Sequence, residues 1–439
     1  MKVVSIGTRA STLASFLLVG ACIGADHTAD KTELGATPAD GTNGGTGGGG
    51  GTGGGGTATI RTRFDVTKLT ADQSGVAANT DPQLQDVWGV TSLDQQFWAV
   101  AQETGLVIGL QADGVPTAHI PLLEEGKKDT AIDKTGTGIV VNTLDTIQMD
   151  IGGNCAMASL IVAAQSGRIW GVNPDLSMDN AFVLIDRTKD KAQFTGVALI
   201  PPTEQTTGSG KGGGGGATPP PTSTPTLLAV DFHNGVVDVF DQNMRLMQTP
   251  ETPKFVIPDL PDNFAPFGIF ATSDTVVLTA AKRRGPLPGE EQIDQQVPGD
   301  GKGFVAAFDL SGNLMWSVQS PMFNVPWGMA LGDLRLCATG ALLVGQHGDA
   351  TRLDGSGNVW GGSIIAMDIN NGRVFNALLS TDDAKPARVQ GLWGLTFAND
   401  ISNVPSDLLH MGAGPAEARK PPQQQTIHGL FARLDPQTP

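Results

Sequence analysis

A seven-residue pattern returns six times along this chain and limits the architectures open to it. Each copy reads Gly, any residue, apolar, any residue, a position that is usually small, apolar, then Asp, Asn or Gln. The first is Gly105-Leu106-Val107-Ile108-Gly109-Leu110-Gln111, and the second runs from Gly167 to Asn173. The others run from Gly235 to Asp241, Gly303 to Asp309, Gly362 to Asp368 and Gly429 to Asp435. Successive copies start about 60 to 70 residues apart, which fits a repeat architecture once loop insertions are allowed. A chain of this kind is a ring or array of similar units.

The pattern alternates apolar and variable residues, which is a strand signal. A second apolar strand precedes each copy, as in Phe97-Trp98-Ala99-Val100, Leu160-Ile161-Val162-Ala163 and Leu342-Leu343-Val344. Ahead of that stands a third element carrying a glycine: Trp88-Gly89-Val90, Thr137-Gly138-Ile139, Thr195-Gly196-Val197, Phe267-Gly268-Ile269, Trp327-Gly328-Met329 and Trp393-Gly394-Leu395. Weaker outer strands are expected at 119–123, 181–185, Phe255-Val256-Ile257, 314–318 and 374–379. Six units of four strands predict an all-β fold, a six-bladed β-propeller. Glycine on the innermost strand suits crowding near the axis. The sixth copy has no strand after it, whereas Arg63 to Leu69 alternates without a partner in the first unit. That N-terminal strand is expected to close the ring and remove the open edge. The acids that end four copies (Asp241, Asp309, Asp368, Asp435) predict a repeated turn role.

The propeller is expected over 58–437, with a Gly, Pro and Thr-rich insertion at 201–226. Residues 1–21 read as a signal peptide: basic Lys2 and Arg9, a short apolar run from Ser11 to Val19, then small residues. Val19-Gly20-Ala21-Cys22 resembles a lipobox, which implies acylation of Cys22 and a membrane partner through the lipid. Ile23 follows it, which favours an outer-membrane or cell-surface lipoprotein; plain secretion is the alternative. Residues 22–57 form the acylated end and a Gly/Thr-rich tether. The formal charge is −16, and Lys282-Arg283-Arg284 is the one basic cluster, expected as a solvated hairpin end. Nucleic acid is therefore excluded as a partner. Cys155 and Cys337 fall in opposite units, so buried thiols are expected there, although export permits a disulfide.

The chain also resembles an uncharacterised bacterial family of secreted NHL-like propellers. The resemblance rests on 75–82 with Trp88-Gly89, on Asp231-Phe232-His233-Asn234-Gly235 with Asp238-Val239-Phe240-Asp241, on Pro326-Trp327-Gly328, on Gly391-Leu392-Trp393-Gly394-Leu395, and on His428-Gly429-Leu430-Phe431. It implies an exported propeller and carries no activity with it.

Histidines give the best lead to chemistry. His233 and His347 lie where a second strand turns into a third, and His428 stands at the same turn of the sixth unit. Asp231, Asn234 and Asp349 are near in sequence. These six residues are the candidate ligand-binding set, and His233, His347 and Asp231 the candidate ligands of a divalent metal. The same residues are also good turn chemistry. Trp88, Trp327 and Trp393 are expected in the core, with Trp360 as an exposed aromatic. Two functions stay open: a surface binding module for a ligand or protein, and a metal-dependent hydrolase, lactonase or esterase-like, with its site at the channel mouth. Against the second, Asp86, Asn263 and Asn324 are the only hard-cation donors at the starts of the inner strands.

Overall fold

The six pattern copies become the third strands of six antiparallel sheets arranged around one axis. The structure is a computed structural model and describes residues 63–144, 147–151, 154–200, 225–247, 253–285, 293–332, 341–353, 359–380, 387–398, 401–415 and 427–437. Cys22, the tether, residues 201–224 and Cys337 lie outside these. From the axis outward, the first blade is Val87–Leu93, Gln96–Ala101, Leu106–Leu110 and Pro116–Pro121. The second is Gly136–Val141, Leu160–Ala164, Arg168–Val172 and Phe182–Asp186. The third is Phe194–Leu199, Pro225–Asp231 and Val236–Asp241. The fourth is Phe264–Ala271, Thr275–Arg284, Gly303–Asp309 and Leu314–Gln319. The fifth is Pro326–Gly332, Ala341–Gln346, Ile364–Met367 and Val374–Ala377. The sixth is Leu392–Phe397, Leu409–Ala413, Leu430–Gln437 and, from the other end of the chain, Arg63–Ala71. The last two pair antiparallel from Arg63↔Gln437 to Ala71↔Leu430, which closes the ring as the unpartnered N-terminal strand predicts.

Apolar residues fill each gap between blades. One cluster joins the first two blades through Trp98, Val100, Val162 and Trp170. Equivalent clusters sit at the other five boundaries. A fully buried Val, Leu or Ile contributes about 1.5–3 kcal/mol, so these boundaries hold the ring together. The inner strands touch one another in an unbroken circle. Glycine permits this approach: a Cβ on Gly328 would lie 2.1 Å from the Trp393 carbonyl oxygen, and one on Gly394 2.5 Å from that of Trp88.

The repeated acids take their turn role. Asp241 Oδ1 accepts the amides of Asn243 and Arg245, and Asp309 Oδ1 those of Ser311 and Asn313. Asp368 Oδ1 accepts the amide of Asn370. Asp435, inside the strand Leu430–Gln437, instead accepts the Thr67 hydroxyl and the Arg433 guanidinium.

One expected outer strand does not form. Phe255, at φ 57°, and Ile257 are buried at the boundary of the third and fourth blades. The Phe255 ring meets Phe308 at 5.8 Å. Its hydrophobicity serves that boundary and not an alternating strand. A single bridge between Phe240 and Leu246 takes the outer position.

Candidate functional site

The face that carries the second-to-third hairpins also carries the starts of the inner strands. Backbone bonds tie the two together: the Phe232 amide donates to Gln193 O, His347 N to Val325 O, and Asp86 N to His428 O. The candidate residues therefore share one face, but each has a different environment.

Asp231 is fully buried, and its carboxylate accepts the amides of Gln193 (3.0 Å) and Asn234 (3.1 Å) and the Asn234 side chain (2.7 Å). It is a turn-forming acid with its oxygens committed. Asn234 shares that task and also donates to Asp190 O. His428 Nδ1 lies 2.8 Å from Asp72 Oδ2, and the Gly429 amide donates to Asp72 Oδ1. It fastens the third strand of the last blade to the end of the closing strand. His347 lies flat on Trp393, with ring centroids 3.6 Å apart at 15°. Asp349 and Trp360 pair in a small extra hairpin, Asp349–Leu353 with Val359–Trp360.

His233 is different. Its side chain is 33% exposed, while Asp294 behind it is 9% exposed, with Nδ1 and Oδ2 3.3 Å apart. Asp294 comes from the insertion between the second and third strands of the fourth blade. It is locked to the third blade by a reciprocal amide pair: its N–H donates to Gln193 Oε1 (2.8 Å), and Gln193 Nε2 donates to its carbonyl (2.9 Å). Arg283 reaches under the same hairpin, donating to the carbonyls of Phe232 and His233, with Nη1 3.5 Å from Asp294 Oδ2. The expectation that Lys282 to Arg284 is a solvated hairpin end is thus corrected for Arg283. Its strand continues past the expected turn and pairs with Gln295–Gln296, which carries the guanidinium inward. Asp294 was missed as well, because nothing in its sequence neighbourhood marks it as facing another blade.

His233, His347 and Asp231 do not meet. Among the described residues no three His, Cys, Asp or Glu side chains gather as a metal site. The three named donors do not fit a common ion.

Between these groups the channel is plugged. The residues just before the six inner glycines are Trp88, Thr137, Thr195, Phe267, Trp327 and Trp393. Trp88 stacks on Trp393 at 3.7 Å, and Trp327 meets both edge-on at 5.5 and 5.8 Å. Trp327 Nε1 donates to Thr195 O (2.8 Å), and the Thr195 hydroxyl to Phe267 O (2.7 Å). Asp86 anchors the plug by accepting from Trp88 Nε1 (3.0 Å) and Trp393 Nε1 (3.1 Å). Burial pushes its carboxyl up to about 7, with the Glu103 charge adding; the two indole bonds pull the other way and lose. The tryptophans are buried as the repeat position implies, but they pack along the axis and not between blades.

Beyond the glycines the channel opens. A cavity of about 290 Å³ is lined by the later halves of the inner strands of all six blades. The position after each glycine reads Val90, Ile139, Val197, Ile269, Met329 and Leu395.

The fold and site define a six-bladed propeller with a blind axial channel and a polar hairpin face. No protein-family model matches the chain. It is similar to uncharacterized protein L690 of Acanthamoeba polyphaga mimivirus, at 23% identity over 348 residues, 78% of this chain and 81% of that protein. Uncharacterized protein R648 of the same virus is 22% identical over 340 residues, 76% and 74% of the two chains. Among solved structures, a streptogramin B lyase aligns at 11% identity and TM-score 0.43, covering 87% of this chain and 99% of that one. A PQQ-bound aldose sugar dehydrogenase from Streptomyces coelicolor aligns at 9% and TM-score 0.39, covering 85% and 99%. At these identities the likeness is one of architecture. Both of these sequence relatives are viral and uncharacterized.

Proposed function

We propose that the protein is an exported, lipid-anchored propeller of the bacterial NHL-like kind that works as a binding module, capturing a ligand on the hairpin face at His233. The observation that carries this reading is the backing of one half-exposed imidazole by a buried carboxylate, itself held from two blades by Gln193 and Arg283. A turn needs no such support, because Asp231 and Asn234 already make it. A ligand group bonded to the exposed edge of the ring would find a carboxylate 3.3 Å behind Nδ1, which has no hydrogen-bond partner of its own among the described residues and is close enough to pair once the ring turns to it. An ordered carboxylate at that position lowers the ordering cost of binding. Acylation of Cys22 and a flexible tether would hold this face at a membrane surface, and no nucleic-acid partner is expected.

The test is a thermal-shift panel of saccharides, small carboxylates and peptides on wild type, His233→Ala and Asp294→Asn. A ligand at 100 times its Kd adds about 2.7 kcal/mol to stability, a shift that is easy to read. At least one class should raise the Tm of wild type and lose most of that effect in both variants. Equal shifts in all three proteins would overturn the reading.

A second reading, the metal-dependent hydrolase, is favoured by one feature only. Asp294 Oδ2 lies 3.3 Å from Nδ1 of His233, near enough that a small turn of the ring would make the carboxylate–imidazole pair that orients a metal-binding histidine. Metal content by elemental mass spectrometry, beside a His233→Ala variant, decides it. Stoichiometric metal lost in the variant would replace the binding reading with the hydrolase.

A further inference from the structure

The open half of the channel is a second site, on the opposite side of the plug from His233. Its floor is the glycine tier with Trp327, and its walls are aliphatic: Val90, Ile139, Val197, Ile269, Met329 and Leu395, with Phe270 beyond. Among the described residues, the lining contains no Asp, Glu, Lys, Arg or His. The polar side chains among those described residues are three hydroxyls, Thr91, Thr143 and Thr396, and the indole of Trp327 on the floor, whose Nε1 is bonded to Thr195 O. Thr91 and Thr396 lie two positions past their glycines, and Thr143 follows the end of its inner strand at Val141, so the hydroxyls stand toward the mouth. The inner strands end their sheets, so their backbone edges supply the remaining polar groups.

This chemistry selects a ligand. A charged group would lose its hydration with no counter-ion in the lining, which costs several kcal/mol. An apolar body would gain by leaving water, and its polar end would meet the hydroxyls. At about 290 Å³ the cavity is at the small end of ligand pockets, about 300–1,000 Å³. We propose that the channel binds a small uncharged apolar molecule, entering from the face opposite the histidines with any hydroxyl or amide left at the threonine rim. The site is independent of the hairpin face, because the aromatic plug and the glycine tier stand between them.

The probe is N-phenyl-1-naphthylamine, an uncharged fluorophore, titrated into the full chain carrying Cys22→Ser so that no acyl chain competes. Wild-type sequence at the channel should give saturable binding of one equivalent. Ala198→Phe, which fills the lining, and Thr91→Asp, which places a carboxylate near the mouth, should each weaken it at least tenfold. His233→Ala should leave it unchanged, which separates this site from the hairpin face. Absence of saturable binding, or binding in the two channel variants as tight as in wild type, would overturn the proposal. Circular dichroism checks the fold of both, and if Ala198→Phe does not fold, Thr91→Asp alone decides.

Discussion

Toward the hairpin face the inner strands bring four aromatic rings and a buried carboxylate onto the axis; past the glycine tier the same six strands leave about 290 Å³ open, with no charged side chain among the described residues that line it. The backbone is the same on both sides, since each strand crosses from one half to the other. What differs is the residue on either side of each glycine. Before it stand three tryptophans, a phenylalanine and two threonines; after it stand only Val, Ile, Met and Leu. Indoles are long enough to reach past a neighbouring blade, as Trp327 of the fifth does in bonding Thr195 of the third. Short aliphatic side chains join the clusters between blades, as Val90 and Ile139 do. A propeller can thus seal one end and hollow the other by changing side-chain length at two adjacent positions.

The most direct way to break this contrast is Trp393→Ala. It removes a ring stacked between Trp88 and His347 and orphans one oxygen of Asp86. Denaturant unfolding should report a loss of about 3–5 kcal/mol. The contrast sharpens with Asp86→Asn. Burial raises the Asp86 carboxyl to about 7 from 3.8, so between those values the folded state keeps a proton that the unfolded chain releases. Wild-type stability should therefore fall as pH rises through this window and level off above it, by about 4 kcal/mol from this group. The variant should lose that slope. His410, lowered to about 4 by burial beside Phe97, works in the opposite sense: the unfolded chain protonates first as pH drops below 6.5, and stability falls with it. Without Asp86, that acid sensitivity should stand out in the melting curves. A smaller effect tests the boundary between the halves. Gly328→Ala must displace the Trp393 backbone and should cost about 1–3 kcal/mol. Gly196→Ala, whose Cβ would lie 3.3 Å from Ile269, should cost less, and Gly285→Ala, which meets nothing within 4 Å, should be neutral by the same measurement.

Much of the fold was legible because the repeat fixes equivalent positions. The third strands, the acid turns and the pairing of Arg63–Ala71 with the last strand all follow from period and alternation. Phe255 misled because an apolar triplet reads alike whether it pairs in a sheet or packs between two sheets; only its φ of 57° tells them apart. The candidate site was legible as far as placing three histidines on one face. Their fates depend on partners far away in sequence. Asp294 reaches His233 across 61 residues, Asp72 reaches His428 across 356, and His347 meets Trp393 through stacking that no local pattern encodes. The plug had one available signal, the series Trp, Thr, Thr, Phe, Trp, Trp before the six glycines. It departs from the small and aliphatic residues around it and marks where something must fill an axis.

The strand Arg63–Ala71 crosses the ring from the channel-mouth face to the hairpin face, paired along its length with Leu430–Gln437. Bonds in an antiparallel ladder lie perpendicular to the strands. A pull on the chain before Arg63, opposed by a load gripped on the hairpin face, is directed along this strand and strains the whole ladder in shear. Peeling, in which bonds fail one at a time, would need a sideways pull. The strand that completes the circle is therefore also a clasp oriented to bear tension between its own N-terminal end and the hairpin face.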